Sequence, residues 1–153
     1  MSRHLMTEKH FVGIQAAKDH YALCCVAKDV LGLLPDPVGM VCGPISTGGL
    51  GSVEANIQRF NEAIDSLLML KIVVFDQTPF EPKLAELHQP DESGYDWRIL
   101  NHFYEPIFQT GKIKRKFFIP GWQSSVGARW EREQATTLGI QIVDLNYELL
   151  PIW

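Results

Sequence analysis

The residues best suited to chemistry are two glutamates in the second half of the chain. Glu131 and Glu133 follow a loop rich in glycine and serine at 121–127. A carboxylate near the start of a helix is stabilised by the helix dipole and can serve as a nucleophile or an acid–base group. Because the two glutamates lie two residues apart, one can face a ligand while the other faces solvent, and position alone does not decide which. Both can equally be surface carboxylates that favour helix formation.

Four other residue types were considered for a chemical role, and each also has an ordinary structural explanation. Asp96 precedes a predicted helix, where an aspartate commonly caps the backbone N–H groups. Trp122 can stack on a planar base or pack within its own loop. His88 and His102 have no partner at metal-ligand spacing, so we expect neither a metal nor another cofactor. Cys42 lies in an apolar run and is typical of a small core residue.

Bulk composition limits the class of partner. The 153 residues are 46% hydrophobic and carry a formal net charge of -4, and the basic cluster at 112–116 is short. Such a chain can bury a core but has no general field that attracts polymeric nucleic acid. No apolar stretch approaches the roughly 20 residues of a membrane span, and residues 1–10 lack the apolar block of a secretory signal. The three cysteines are an odd number without metal-type spacing, so the sequence predicts reduced thiols, a cytoplasmic location and a small-molecule ligand.

Apolar spacing, glycines and prolines divide the chain into alternating strands and helices. Residues 10–34 have helical spacing, as one long helix or two short ones, and Pro35-Asp36-Pro37 ends the pattern. Short apolar runs predict four strands, at 38–45, 71–75, 116–119 and 140–145. Later helices are predicted from Ser52 to Leu68, over 96–108 with an end or kink at Pro106, and from the loop at 120–127 to Gly139. The stretch 77–93 is expected to be a loop with a helical turn around Leu84.

This alternation predicts an α/β protein with a mostly parallel sheet of four to five strands, helices on both faces and an extra N-terminal helix. The expected division is an N-terminal helical extension over 1–37 and an α/β domain over 38–153. In such sheets ligands bind beyond the carboxyl ends of the strands, where the glycine-rich loops 43–51 and 121–127 leave the sheet. Their glycines can also simply permit tight turns, although two such loops at one crevice favour a ligand site.

Short motifs along this framework follow the order found in a known family. They are Cys42-Gly43-Pro44-Ile45-Ser46, the helix 56–67, Asp96-Trp97-x-x-Leu100, and Pro120-Gly121-Trp122-x-x-Ser125-x-Gly127-Ala128-x-x-Glu131. In these segments the chain resembles the nucleoside 2-deoxyribosyltransferase superfamily, most closely a small branch related to 2-deoxynucleoside 5-phosphate N-hydrolase. The resemblance covers about 38–145 and leaves the N-terminal helix unexplained. It implies a Rossmann-like or flavodoxin-like, deoxyribosyltransferase-like domain.

The resemblance also implies an activity, the cleavage or transfer of the N-glycosidic bond of a (deoxy)nucleoside or nucleoside 5′-monophosphate through a glycosyl-enzyme intermediate. It implies that Glu131 is the nucleophile and that Asp96 is the acid for the leaving base. Substrate contacts are expected at Gly43, Pro44, Ile45, Ser46, Trp122, Ser125 and Gly127. Ser125 stands where nucleotide hydrolases of the family carry a serine, and this favours a 5′-monophosphate.

Two departures from the family pattern keep other functions open. Met40 stands where many active members carry a tyrosine near the nucleophile, and 108–115 lacks the usual acidic residue. The main alternative is therefore a catalytically inactive nucleotide-binding or sensing module. A third hypothesis is a phosphoribohydrolase of the lysine-decarboxylase-like group, but its Pro-Gly-Gly-x-Gly-Thr motif is not present in the sequence. The resemblance also implies a homodimer or larger homo-oligomer, in which the N-terminal helix is an interface or a lid.

Overall fold

A computed structural model describes residues 5–153 of the chain. Its α-helices are α1 (Glu8–Ala16), α2 (His20–Gly32), α3 (Val53–Met69), α4 (Glu81–Glu86), α5 (Glu105–Gln109) and α6 (Val126–Leu138). Its strands are β1 (Val38–Cys42), β2 (Ile113–Phe118), β3 (Gln141–Leu145) and β4 (Pro151–Ile152). Short 3₁₀ turns lie at Thr78–Phe80 and Trp122–Ser124, and a π-helix spans Ile99–Tyr104.

The four strands form one sheet in the order β1-β2-β3-β4. The first three strands are parallel, and β4 runs antiparallel to β3. The predicted strand at 71–75 is reduced to a single parallel bridge between Val74 and Gly39 of β1. Strand β4 was not predicted, because two residues are too short to show an alternating pattern. The protein is thus a mixed α/β structure with a mostly parallel sheet, which confirms the predicted fold class at this level.

Helices cover both faces of the sheet because its strands alternate apolar side chains between two cores. On one face α3 packs against β1, β2 and β3 through Phe60, Ile64, Leu67, Val41, Phe117 and Val143. On the other face α1, α2, the π-helix, α5 and α6 form a second cluster that includes Met40 of β1. Ile14, Leu23 and Val30 from the N-terminal segment are buried in this second cluster. The domain boundary at residue 37 stays a prediction.

Two helical predictions are refined by local chemistry. The N-terminal pattern forms two helices, because Asp19 is extended and its side chain accepts the N–H of Ala22 at 2.8 Å, which starts α2. Pro106 does not end the helix that contains it. The π-helix precedes it, and the N–H of Glu105 donates to the carbonyl of Leu100, five residues back. This wider turn relieves the crowding that a proline ring causes inside an α-helix.

Candidate functional site

A cavity of about 740 Å³ lies beyond the carboxyl end of β1. This size suits a small organic ligand. The wall is largely apolar, and Met6 and Phe11 from the N-terminal segment contribute to it. Of the predicted site residues, those that line the cavity are Gly43, Ile45, Ser46, Ser125, Gly127 and Glu131. The structure therefore brings the two predicted glycine-rich loops to one cavity.

The two loops are bonded directly to each other. The N–H of Gly49 donates to Ser124 Oγ at 2.8 Å, and the N–H of Val126 donates to Thr47 Oγ1 at 3.2 Å. Gly48 has a φ of +66°, and a Cβ atom there would overlap the backbone of Ser124. Glycine is required at this position both for its backbone conformation and for the close approach of the second loop.

Asn56 of α3 stabilises the glycine-rich loop 43–51. Its Nδ2 donates to the carbonyls of Ile45 at 3.0 Å and Gly48 at 3.1 Å, while its Oδ1 accepts the N–H of Leu50 at 2.8 Å. The side chain is buried, so three hydrogen bonds satisfy its amide away from water. Sequence reasoning included this residue only in a family-like segment and assigned it no role.

Glu131 is the glutamate of α6 that faces the cavity. It is buried and lines the wall, whereas Glu133 is exposed. Cys42 Sγ donates to Glu131 Oε2 at 3.1 Å, and Lys116 Nζ donates to the backbone carbonyl of Glu131 at 3.0 Å. Burial raises the pKa of the Glu131 carboxyl, while the charge of Lys116 and the hydrogen bond from Cys42 act in the opposite direction. The carboxylate is thus oriented and partly compensated.

The donor to Glu131 comes from an unexpected residue. Met40, where the resemblance implied a tyrosine in many active members, is fully buried in the apolar core. Cys42 lies two residues further along β1, on the same face of the strand, and supplies the hydrogen bond instead. Its thiol pKa is raised well above the usual range by burial, with the charge of Glu131 adding to the effect. A neutral S–H donor is therefore maintained, where sequence reasoning predicted only a core residue.

Asp96 is placed differently from its predicted role as an acid. It does not line the cavity, and its carboxylate accepts hydrogen bonds from the side chain and N–H of Arg98 and from the N–H of Gln89. Burial acts to raise its pKa, but these hydrogen bonds and the charge of Arg98 hold the pKa well below the usual value. An ionised, fully bonded carboxylate cannot donate a proton near neutral pH. The structure instead fits the capping role weighed from the sequence.

Glu81 is a cavity carboxyl that sequence reasoning missed. It begins α4 and lines the same cavity as Glu131. The hydroxyl of Tyr104 donates to Glu81 Oε1 at 2.8 Å. The pKa of Glu81 is raised to about 7, because burial and the charge of Glu131 raise it by more than the Tyr104 hydrogen bond lowers it. No local signal marks this residue, because acidic side chains are common in the first turn of any helix.

Gln77 lines the cavity and has a buried side-chain acceptor without a partner among the described residues. Its Nε2 donates to the carbonyl of Val41 at 2.8 Å, which determines the orientation of the side-chain amide. The residue is only 2% exposed, and Gln77 Oε1 has no hydrogen-bond partner among the described residues. A buried acceptor of this kind costs free energy unless a ligand or water supplies an N–H or O–H donor.

Two predicted contact residues lie outside the cavity lining. Pro44 is buried beside the first loop and Trp122 is partly buried in the second. The Trp122 ring packs edge-on to Phe118 at 5.7 Å, and the guanidinium of Arg132 lies 4.3 Å from its centroid. Of the two roles weighed for Trp122, this geometry supports packing within the protein.

The charge of the wall bears on the type of ligand. Its titratable side chains are Asp76, Glu81, His88, Tyr95, Tyr104 and Glu131, and no Lys or Arg of residues 5–153 lines it. At the start of α6 the N–H of Val126 is bonded to Thr47, and the N–H of Ala128 donates to Ser125 Oγ at 3.1 Å. Much of the anion-binding capacity of this helix end is therefore already used.

The chain was compared with family models, curated proteins and solved structures, and none of them matches it. Within residues 5–153 there is no group of three or more His, Cys, Asp and Glu side chains that could hold a metal ion. In the same range, no helix has both the length and the apolar character needed to cross a membrane.

Proposed function

We propose that the protein cleaves or transfers the N-glycosidic bond of a (deoxy)nucleoside or nucleoside 5′-monophosphate. The observation that carries this proposal is the buried Glu131 carboxylate on the cavity wall, held by the Cys42 thiol. Glu131 attacks the anomeric carbon, and the base leaves with the electrons of the broken C–N bond and takes up a proton. Water or a second base then displaces Glu131 from the sugar and restores the carboxylate.

The rest of the wall supports a nucleoside-sized ligand with a polar edge. The cavity volume of about 740 Å³ is sufficient for a base and a sugar. Gln77 Oε1 can accept a hydrogen bond from an N–H or O–H group of the ligand. The apolar lining keeps water away from the glycosyl-enzyme intermediate, which favours transfer to a bound acceptor over random hydrolysis.

The electrostatics favour the nucleoside over the 5′-monophosphate. Three carboxyl groups, Asp76, Glu81 and Glu131, line the cavity, and no Lys or Arg of residues 5–153 lines it with them. A phosphate dianion would be repelled by an ionised carboxylate at short range. The Ser125 hydroxyl oxygen accepts the N–H of Ala128 and so caps α6, while its O–H can still donate to a ligand.

We also infer a flavodoxin-like arrangement for the sheet. When residues 71–75 are counted as a strand, the spatial order becomes 2-1-3-4-5 in chain numbering. In that order the ligand site lies where neighbouring connections leave in opposite directions, next to the first strand. Gly43 after β1 and Ser125 after β2 both line the cavity, which agrees with this position.

Cys24, Cys25 and Cys42 are free thiols, which suits the predicted cytoplasmic location. The homo-oligomer stays a prediction.

The first experiment measures free-base release from a panel of deoxynucleosides and their 5′-monophosphates, with and without an acceptor base. Glu131→Gln should lower the rate by about 10³-fold or more, since it removes the nucleophile. Glu133→Gln is the matched control, because it changes an exposed glutamate of the same helix and should leave the rate unchanged. Dependence on the acceptor base separates a transferase from a hydrolase.

Two results would contradict the proposal or part of it. If the wild-type protein binds nucleotides but releases no base from any substrate, the glycosidic chemistry is wrong and the inactive binding module is the better account. If base release occurs mainly from the 5′-monophosphates, the preference argued from the wall charge is wrong, although the chemistry stands.

A further inference from the structure

Glu81 and Tyr104 form a rigid pair on the cavity wall. Glu81 begins α4 and Tyr104 ends the π-helix, and the Tyr104 hydroxyl donates to Glu81 Oε1 at 2.8 Å. The Tyr104 ring is itself held edge-on to Phe103 at 4.8 Å and stacked near Phe108 at 6.0 Å between ring centroids. The hydrogen bond occupies one oxygen of Glu81 and leaves Oε2 to carry a proton.

The surroundings of Glu81 differ from those of an ordinary surface carboxylate. The titratable groups of the wall come from several elements: Glu131 from α6, Tyr104 from the π-helix, and Asp76, His88 and Tyr95 from loops. No Lys or Arg of residues 5–153 is among them. With burial and the nearby Glu131 charge, the pKa of Glu81 rises to about 7, so both protonation states are populated near neutral pH.

A glycosidic site needs two carboxyl groups in different states. One must be ionised to attack the sugar, and the other must hold a proton for the leaving group. Glu131 receives the Cys42 hydrogen bond and the influence of the Lys116 charge, both of which favour its ionised form. Among residues 5–153 no such cation acts on Glu81, and the Glu131 charge raises its pKa. Glu131 is therefore the member of the pair better suited to be the base, and Glu81 the member better suited to be the acid.

We propose that Glu81 is the acid that protonates the leaving base, and that Tyr104 is its positioning residue. This inference rests on the glycosidic function proposed above. As the C–N bond breaks, a base nitrogen takes the proton from Glu81 Oε2, and Glu81 becomes a carboxylate. In the second step that carboxylate takes a proton from the attacking water or from the N–H of the acceptor base, which restores the acid.

The deciding experiment varies the need for an acid. An ordinary purine deoxynucleoside must be protonated as its base leaves, whereas an N7-methylated purine deoxynucleoside already carries a positive base that leaves neutral. Glu81→Gln should slow base release from the ordinary substrate by about 10²-fold or more. Release from the methylated substrate should change by less than about 3-fold, in the range of an ordinary surface substitution. Retained activity on the methylated substrate also shows that the variant is folded.

Glu86→Gln is the matched control for Glu81→Gln. Glu86→Gln changes an exposed glutamate of the same helix, paired with Lys83 at 3.0 Å, and should affect neither substrate. Equal losses on both substrates, or no loss on either, in Glu81→Gln would overturn the acid role. If the wild-type protein releases base from neither substrate, the proposed function fails and takes this inference with it.

A pH profile tests the positioning role of Tyr104. Wild-type kcat/KM on the ordinary substrate should fall above pH about 7, where Glu81 loses its proton, and the fall should be missing for the methylated substrate. Tyr104→Phe keeps the ring but removes a hydrogen bond that lowers the pKa of Glu81. Its alkaline limb should therefore move to higher pH. An unchanged limb would show that Tyr104 does not position Glu81.

Discussion

In two regions of the molecule a carboxyl group stands at the start of a helical segment, buried at Asp96 and half-buried at Glu81, and its pKa moves in opposite directions. In the loop before the π-helix, Asp96 is 1% exposed and is surrounded by donors from Arg98 and Gln89. On the cavity wall, Glu81 has the Tyr104 hydroxyl and a second carboxyl, Glu131, as its electrostatic neighbours. The pKa of Asp96 is lowered and the pKa of Glu81 is raised.

The comparison teaches that burial alone does not decide what a carboxyl group does. Burial favours the neutral form in both places, but Asp96 is offered enough donors to stay charged, and Glu81 is not. The first region uses its carboxylate to join three chain segments, since Gln89, Arg98 and the nearby His20 all approach it. The second keeps a proton available beside a ligand cavity.

The largest change in the free energy of unfolding is expected for a substitution of Asp96. Asp96→Asn removes the charge that Arg98 and two backbone N–H groups bind. We expect the free energy of unfolding to fall by about 2–3 kcal/mol, because hydrogen bonds to charged groups are lost in a buried site. Arg98 is 39% exposed and can be rehydrated, which limits the loss. Urea denaturation measures the change.

Its control is an exposed aspartate in α2. Asp29→Asn should leave the free energy of unfolding within about 0.5 kcal/mol of wild type. Base release per folded molecule should also stay near wild type in Asp96→Asn, since the residue does not line the cavity. A large loss of base release without a loss of stability would return the acid role to Asp96.

A smaller effect concerns the pH dependence of stability at Glu81. Because its folded-state pKa is raised to about 7 from a usual value of 4.5, the stabilisation associated with its proton is complete below pH 4.5 and is lost as the pH rises through 7. Glu81→Gln removes this dependence. Relative to wild type, the variant should gain on the order of 2 kcal/mol between pH 5 and pH 8. Urea denaturation at both pH values checks this.

Asp96 should give the opposite dependence of the free energy of unfolding on pH, which provides a second test. Its pKa is lowered on folding, so its contribution is present above the unfolded pKa and is lost as the pH falls. Asp96→Asn should therefore differ most from wild type near neutral pH and least in acid. If Glu81→Gln and Asp96→Asn change stability in the same direction with pH, the contrast between the two regions is wrong.

The smallest expected effect concerns the donor to Glu131. Cys42→Ala removes the Sγ hydrogen bond that lowers the pKa of Glu131. The acidic limb of the base-release profile should move to higher pH by less than about one unit, since one hydrogen bond is worth about 1 kcal/mol. Cys42→Ser keeps a donor and should leave the limb near its wild-type position. Equal profiles for alanine and wild type would remove Cys42 from the site.

The candidate site was predictable in part. The glycine-rich loops and Glu131 could be found because they lie in short, recognisable segments that follow predicted strands. In a parallel sheet such segments leave from the carboxyl edge, where the cavity lies. The family resemblance implied an acid role for Asp96, but Arg98, two residues further on, forms an ion pair with its carboxylate. Met40, in place of a tyrosine, suggested that Glu131 lacks a hydrogen-bond donor. Cys42, on the same face of β1, donates to Glu131 instead.

The alternation of helices and strands, the parallel class of the sheet and the two loops beside it follow from local patterns in the amino-acid sequence. Apolar periodicity, capping residues and glycines act over a few residues, so they can be read locally. The choice of which carboxyl groups share a cavity, and which of them is suited to hold a proton, comes from the folded arrangement of distant segments. Glu81 meets Tyr104 across 23 positions of the chain, and Cys42 meets Glu131 across 89. Proton affinity depends on through-space neighbours and burial, which spacing along the chain does not encode.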